Sequence, residues 1–277
     1  MKKLLLLSLL GAASMAQAHD LWVSVPPHIA ATDILKADMA YSHDFPNAEE
    51  IPADRLHIFE PLHITGASLV TGILKQQGKN YQYEAWSTLY KGSYVVTANY
   101  KPTFWSKFPD GKWAQGDLIK NPYAASCQEA QMFGKSIVII DNVIDMSTIS
   151  HPIGQTLEII PLADPTQAKV GKLFPVQVLY EGKPLAGETV IATADSVAAL
   201  DLEATHDHRE PQAFSGKTDK NGRVNVLPLI DGYWKIKVSY KTEYPNQRVC
   251  QIKSLNATFT LPIGKQRAAG SSQGHKH

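Results

Sequence analysis

Past its first eighteen residues the sequence has no apolar run near the roughly 20 residues that a helix needs to cross a bilayer, so no membrane span is expected in the mature chain. Charge of one sign is missing too. The 27 Lys and Arg residues are matched by 26 Asp and Glu, and their interspersion excludes a polybasic membrane patch, an acidic tail and a nucleic-acid footprint. Helical periodicity is scarce, with residues 165–170 and 197–203 the only plausible helical pieces, both short and poorly capped. Cysteine occurs only at Cys127 and Cys250.

What is present begins at the first residue. Lys2 and Lys3 precede an apolar stretch at 4–13, and Ala16-Gln17-Ala18 fits the small-x-small cleavage pattern of an exported precursor. Cleavage after Ala18 would leave a periplasmic chain of 259 residues beginning at His19, with 25 basic residues against 26 acidic. Both cysteines fall in the exported part, where disulfides form and persist. One bridge is the expected arrangement. It would close a loop of about 120 residues and stabilise by about 4 to 5 kcal/mol in the chain-entropy model; two buried thiols or a soft metal ligand is the alternative.

Short segments rich in β-branched or aromatic residues, bounded by Gly, Pro, Asn or Asp, recur at 21–25, 35–41, 94–100, 137–140 and 156–160. The fold class is therefore all-β, with two β-sandwich domains following the signal peptide at 1–18. A boundary near His151-Pro152-Ile153-Gly154 assigns 19–150 to the first sandwich and 151–264 to the second, with a flexible tail at 265–277. In the second, residues 174–180 are expected to pair with 188–192 across Glu181-Gly182-Lys183-Pro184. Its segments "GKPLAGETV", "TDKNGRVNV" and "DGYWKIKV" resemble immunoglobulin-like and prealbumin-like modules, which usually act as spacers. Between Tyr100 and Cys127 no period is visible, yet Phe104, Trp105, Phe108, Trp113 and Tyr123 crowd there. A long aperiodic loop is either a wall or lid over a site or a cover for the end of the sandwich.

Of the ten histidines, His19 has a special position. Cleavage after Ala18 would give it a free α-amine beside its own imidazole, and amine and Nδ1 close a six-membered chelate on a divalent metal. Reference pKa values of about 7.7 for the amine and 6.5 for the ring let both lose protons to a metal near neutral pH. A transition metal needs more donors than two. His43, at a strand end in Tyr41-Ser42-His43-Asp44-Phe45-Pro46, is the next candidate, with Asp44 placed to orient it. His206-Asp207-His208 offers two further imidazoles. His57 and His63 alternate with apolar neighbours and are expected at the rim, while His275 and His277 lie in the tail.

The ordered set "HDLWV", "YSHDFP", "LEIIPLADP", "GKLFPVQVLYEGKPLAGETV" and "TDKNGRVNVLP" followed by "GYW" resembles the periplasmic component associated with cobalt and nickel uptake transporters, over nearly the whole mature chain. The resemblance implies two β-sandwich domains and delivery of nickel or cobalt to an energy-coupling-factor type importer of the inner membrane, without enzymatic chemistry. It points to His19 and His43. Before Met132-Phe133-Gly134, where the family pattern carries a further His, this chain reads Ala124-Ala125-Ser126-Cys127. Imidazole and amine donors suit copper and zinc as well. An N-terminal histidine chelate with a second histidine on a β-sandwich is also similar to copper-dependent polysaccharide monooxygenases, and a structural or adhesive sandwich is the remaining alternative.

Overall fold

The structure, a computed structural model, describes residues 19–200 and 211–265. The first half contributes β1 (Asp20–Ser24), β2 (His28–Ile29), β3 (Lys36–Ser42), β4 (His63–Thr65), β5 (Thr71–Ile73), β6 (Lys75–Gln76), β7 (Gln82–Glu84), β8 (Gly92–Lys107), β9 (Trp113–Gln115) and β10 (Ser126–Ile140). After one helical turn, α1 (Met146–Ile149), the second half adds β11 (Leu157–Pro161), β12 (Phe174–Tyr180), β13 (Lys183–Pro184), β14 (Thr189–Ala194), α2 (Asp195–Ala198), β15 (Phe214–Lys217), β16 (Arg223–Val226), β17 (Gly232–Glu243) and β18 (Ile252–Ile263). The protein is all-β.

One ten-stranded sheet runs through both halves in the order β15-β14-β17-β18-β10-β8-β4-β5, with β2 beside β10 and β9 beside β8. A four-stranded sheet, β1-β3-β7-β6, faces its first half; a second, with β11, β13 and β16 around β12, faces the other. Side chains alternate across a strand with period two, so β10 feeds two cores. Val138 and Ile140 join Leu21, Val23, Met39, Tyr41 and Val96 in one core. Ile137 and Ile139 join Val176, Val178, Trp234, Ile236 and Phe259 in the other. That double burial is why 137–140 reads as an unbroken apolar run. Each Val, Leu or Ile so buried contributes about 1.5–3 kcal/mol relative to exposure.

The halves meet where β10 and β18 run parallel, Gln128–Ser136 against Ile252–Thr260. Beside this seam the Lys135 ammonium donates to Glu158 Oε1, both side chains fully buried, and the Glu158 carboxylate also accepts the backbone N–H groups of Ile153 and Gly154. The boundary segment near His151 is therefore folded around a buried charge. Cys127 and Cys250 form a disulfide, with Cα atoms 5.0 Å apart, tying the start of β10 to the residues that lead into β18.

Two expectations are corrected. Residues 174–180 do not pair with 188–192: β12 pairs with β11, β13 and β16, while β14 pairs with β15 and β17 in the other sheet. Only the two-residue β13 completes the hairpin across 181–182, after which the chain crosses the sandwich. The stretch after Tyr100 is an irregular loop only in part, at 108–112 and 116–125. β8 continues to Lys107 and pairs with β9 and with the start of β10, and Trp105 Nε1 donates to the Tyr100 hydroxyl at 2.7 Å. The aromatic side chains had hidden the strand period because both faces of this extension carry them. Of the two helical expectations, 165–170 shortens to a single 3-10 turn at Pro165–Gln167 capped by Asp164, and 197–203 runs beyond the described residues.

Candidate metal centre

β1 and β3 form an antiparallel pair whose register ends with Asp20 opposite Ser42. One step outward on each strand stand His19 and His43, so the pairing that buries Leu21 and Tyr41 also sets the two histidines face to face. Their ring centroids are 4.0 Å apart, with the planes tilted by 41°. The His19 ring also stacks on Tyr41 at 4.4 Å, a diagonal cross-strand neighbour within reach of an aromatic side chain. Nδ1 of His19 and both ring nitrogens of His43 are shielded from solvent.

Below the histidines lies an aromatic floor. Tyr41 meets Phe59 edge-on at 5.0 Å and Tyr100 at 6.2 Å. Burial pushes the Tyr41 hydroxyl above its ordinary range, partly offset by the hydrogen-bonded Arg55 guanidinium, and pushes Tyr100 up to about 12. Both phenols are therefore neutral near neutral pH. Arg55 in turn lies 5.5 Å over the Trp105 ring.

Asp20 is buried beside His19, and its two carboxylate oxygens accept from Lys235 and Lys237 of β17, each at 2.6 Å. Burial alone would raise this carboxyl, but the two ammonium groups more than offset it and hold Asp20 well below the usual carboxylate range. Asp44, expected to orient His43, accepts from Asn47 Nδ2 at 2.9 Å.

The other histidines are placed as follows. His206 and His208 lie outside the described residues, as do His275 and His277. His57 sits in a 3-10 turn (Ala53–Ile58) rather than a strand, exposed, with Nε2 3.1 Å from Gln115 Nε2. It lines a cleft of about 520 Å³ with Lys101 and Phe104. His63, on β4, lines another of about 360 Å³ with Glu60, Asn99 and Gln155. Among the described residues no group of three or more His, Cys, Asp or Glu side chains is arranged so that it could hold a metal ion. Two imidazoles are thus brought together. The third donor of the expected set is the His19 amine, which exists only when the bond to Ala18 is cut. Cys127, which closes the stretch 124–127 where the resemblance led to the expectation of a further His, is used by the disulfide.

A family model described as a domain of unknown function (DUF4198) matches residues 16–242. The chain belongs to the DUF4198 family. The match covers β1, β3 and all but the last residue of β17 and stops before β18, so both histidine-bearing segments and their lysine partners fall inside it. No protein of curated function matches this DUF4198 chain. Among solved structures, native alpha-2-macroglobulin from Escherichia coli spanning domains MG0-NIE-MG1 is 11% identical, covering 87% of this chain and 73% of that one, with a TM-score of 0.22. The D00-D0 domain of Intimin is 13% identical, covering 88% of this chain and 100% of that one, also with a TM-score of 0.22. Likenesses this slight carry no argument about function.

Proposed function

We propose that the processed protein captures one divalent transition metal ion through three nitrogens, the His19 amine, His19 Nδ1 and a ring nitrogen of His43, and carries it in the periplasm. What supports this reading is the facing pair: two imidazoles 4.0 Å apart at a strand end, beside the residue that cleavage turns into an amine. Metal–nitrogen bonds of about 2 Å let three such donors meet on one ion. An all-nitrogen set suits nickel and copper in tetragonal geometry, and cobalt and zinc more weakly. Nickel or cobalt as cargo, and an energy-coupling-factor type importer as recipient, rest on the resemblance of the ordered motifs from "HDLWV" to "GYW" to the cobalt and nickel uptake component. The disulfide supports an oxidising compartment. Capture and release require no bond to be made or broken in the cargo, so the protein acts as a carrier.

The same donors support a second reading, a copper-dependent oxidative enzyme, because equal geometry favours copper in the Irving–Williams order. Isothermal titration of protein starting at His19 with Ni²⁺, Co²⁺, Cu²⁺ and Zn²⁺ tests the metal reading. One ion bound tighter than micromolar, lost in His19→Ala and His43→Ala, is expected; micromolar or weaker binding unchanged by His19→Ala would leave a structural or adhesive sandwich. Peroxide-driven oxidation of chitin or cellulose by the Cu²⁺ form would favour the enzyme.

A further inference from the structure

Both histidine-bearing segments rest on the same strand, and that strand belongs to the other half of the molecule. Trp234, Ile236 and Val238 of β17 point into the second core. By strand alternation Tyr233, Lys235 and Lys237 project from the opposite face, and on that face lies the start of β1. Lys235 and Lys237 hold the Asp20 carboxylate, the residue after His19, at 2.6 Å each. Tyr233 donates to the Val23 carbonyl at 3.2 Å. From β18, Thr258 donates to the Leu21 carbonyl at 2.6 Å and Thr260 to that of Val23.

The second segment is held by the same residues. Phe45, two positions beyond His43, stacks on Tyr233 with ring centroids 5.6 Å apart and planes within 11°. Lys235 Nζ lies 5.1 Å from the Phe45 ring centroid and 5.2 Å from that of Trp22. Trp22, Ala40, Phe45 and Ala198 form a small cluster of their own, with Tyr233 packed on it. Lys235 thus bridges a carboxylate one residue from His19 and an aromatic ring two residues from His43. A chain start is ordinarily free to fray; here the first strand is fixed from the side by two charge-assisted bonds, a kind that is short and strong, the one from Lys235 fully buried and the one from Lys237 partly so.

We infer that Asp20, Lys235 and Lys237 are positioning residues of the metal site, and that β17 holds in place the two segments whose β1–β3 pairing sets the histidines face to face, so the second half is a working part of the site rather than a spacer. This rests on the metal reading proposed above. None of the three residues supplies a donor atom. Their effect is to limit the orientations of the His19 main chain, so that amine and ring need not be ordered at the moment of binding; partners outside the first ligand layer typically change metal affinity by about 10–100-fold.

The test uses the full processed protein, beginning at His19, as wild type, Asp20→Asn, Lys237→Gln and Lys237→Arg. Each is titrated with Ni²⁺ and Cu²⁺, electron paramagnetic resonance of the Cu²⁺ form reports ligand geometry, and a thermal melt reports folding. Asp20→Asn and Lys237→Gln are expected to bind about 10–100-fold more weakly with an altered Cu²⁺ spectrum, and Lys237→Arg to keep both near wild type. Should Asp20→Asn fail to fold, Lys237→Gln decides, because Lys237 is the less buried of the two lysines, its side chain 17% exposed. Cooperatively folded variants with wild-type affinity and spectrum would overturn the positioning role while leaving the site standing. A wild type that binds neither metal would overturn both.

Discussion

Asp20 has a charge environment that makes its contribution separable from the rest of the protein. Its carboxyl is held below the ordinary range by two ammonium groups despite burial, so the folded state binds its proton less readily than the unfolded chain does. The stability it contributes is fully present above the unfolded pKa of about 3.9 and is lost as pH falls from there towards the lower folded value. Thermal melts from pH 6 down to pH 3 should therefore show Asp20→Asn less stable than wild type at the upper end, the gap narrowing as pH falls below about 4. Parallel curves across that interval would mean the two lysines do not govern this carboxyl. The sequence lets Lys235 and Lys237 alternate with Trp234, Ile236 and Val238, and so share one face of β17. It held no sign that Asp20, more than two hundred positions earlier, covers that face, since a pairing so remote leaves no periodicity.

At the level of elements, the position of β1 depends on how closely it can approach β10. Gly134 lies beneath it: a Cβ there would meet the Trp22 Cα at 3.1 Å and the Val23 amide nitrogen at 3.3 Å. Both contacts are backbone, so a methyl group cannot be accommodated by rotating a side chain. Gly134→Ala should displace β1, cost about 1–3 kcal/mol as other overpacked sites do, and weaken metal binding by shifting His19. Urea unfolding and a Ni²⁺ titration on the same sample check both, and wild-type values in both would refute the close fit. Strand ends, unlike strand partners, were legible: the breaks at 24–27 and 42–46 are marked by Pro and Asp, so His43 was recognisable as a rim residue. The pairing of β12 was not, because residues 174–180 and 188–192 carry the same alternation whichever sheet each one joins.

For the whole molecule, the shared ten-stranded sheet turns two cores into one framework. The all-β class was readable from the rhythm of strands and turns along the chain. The seam was not readable, since the parallel pairing of β10 with β18 joins segments far apart in sequence, and Lys135 with Glu158 reads as two ordinary surface charges until the fold buries them. Under the proposed metal reading, the pair of imidazoles that this framework brings together depends on the amine that cleavage after Ala18 would free, and that dependence gives the most direct test. Two forms of the processed chain are titrated with Ni²⁺ and Cu²⁺, one starting at His19 with a free amine and one starting at His19 with that amine acetylated, which removes the chelating amine but leaves both rings. The account predicts tight one-to-one binding by the first and a loss of at least about tenfold in the second, since one nitrogen donor of three is gone from the chelate. Equal affinity in the two forms would contradict it.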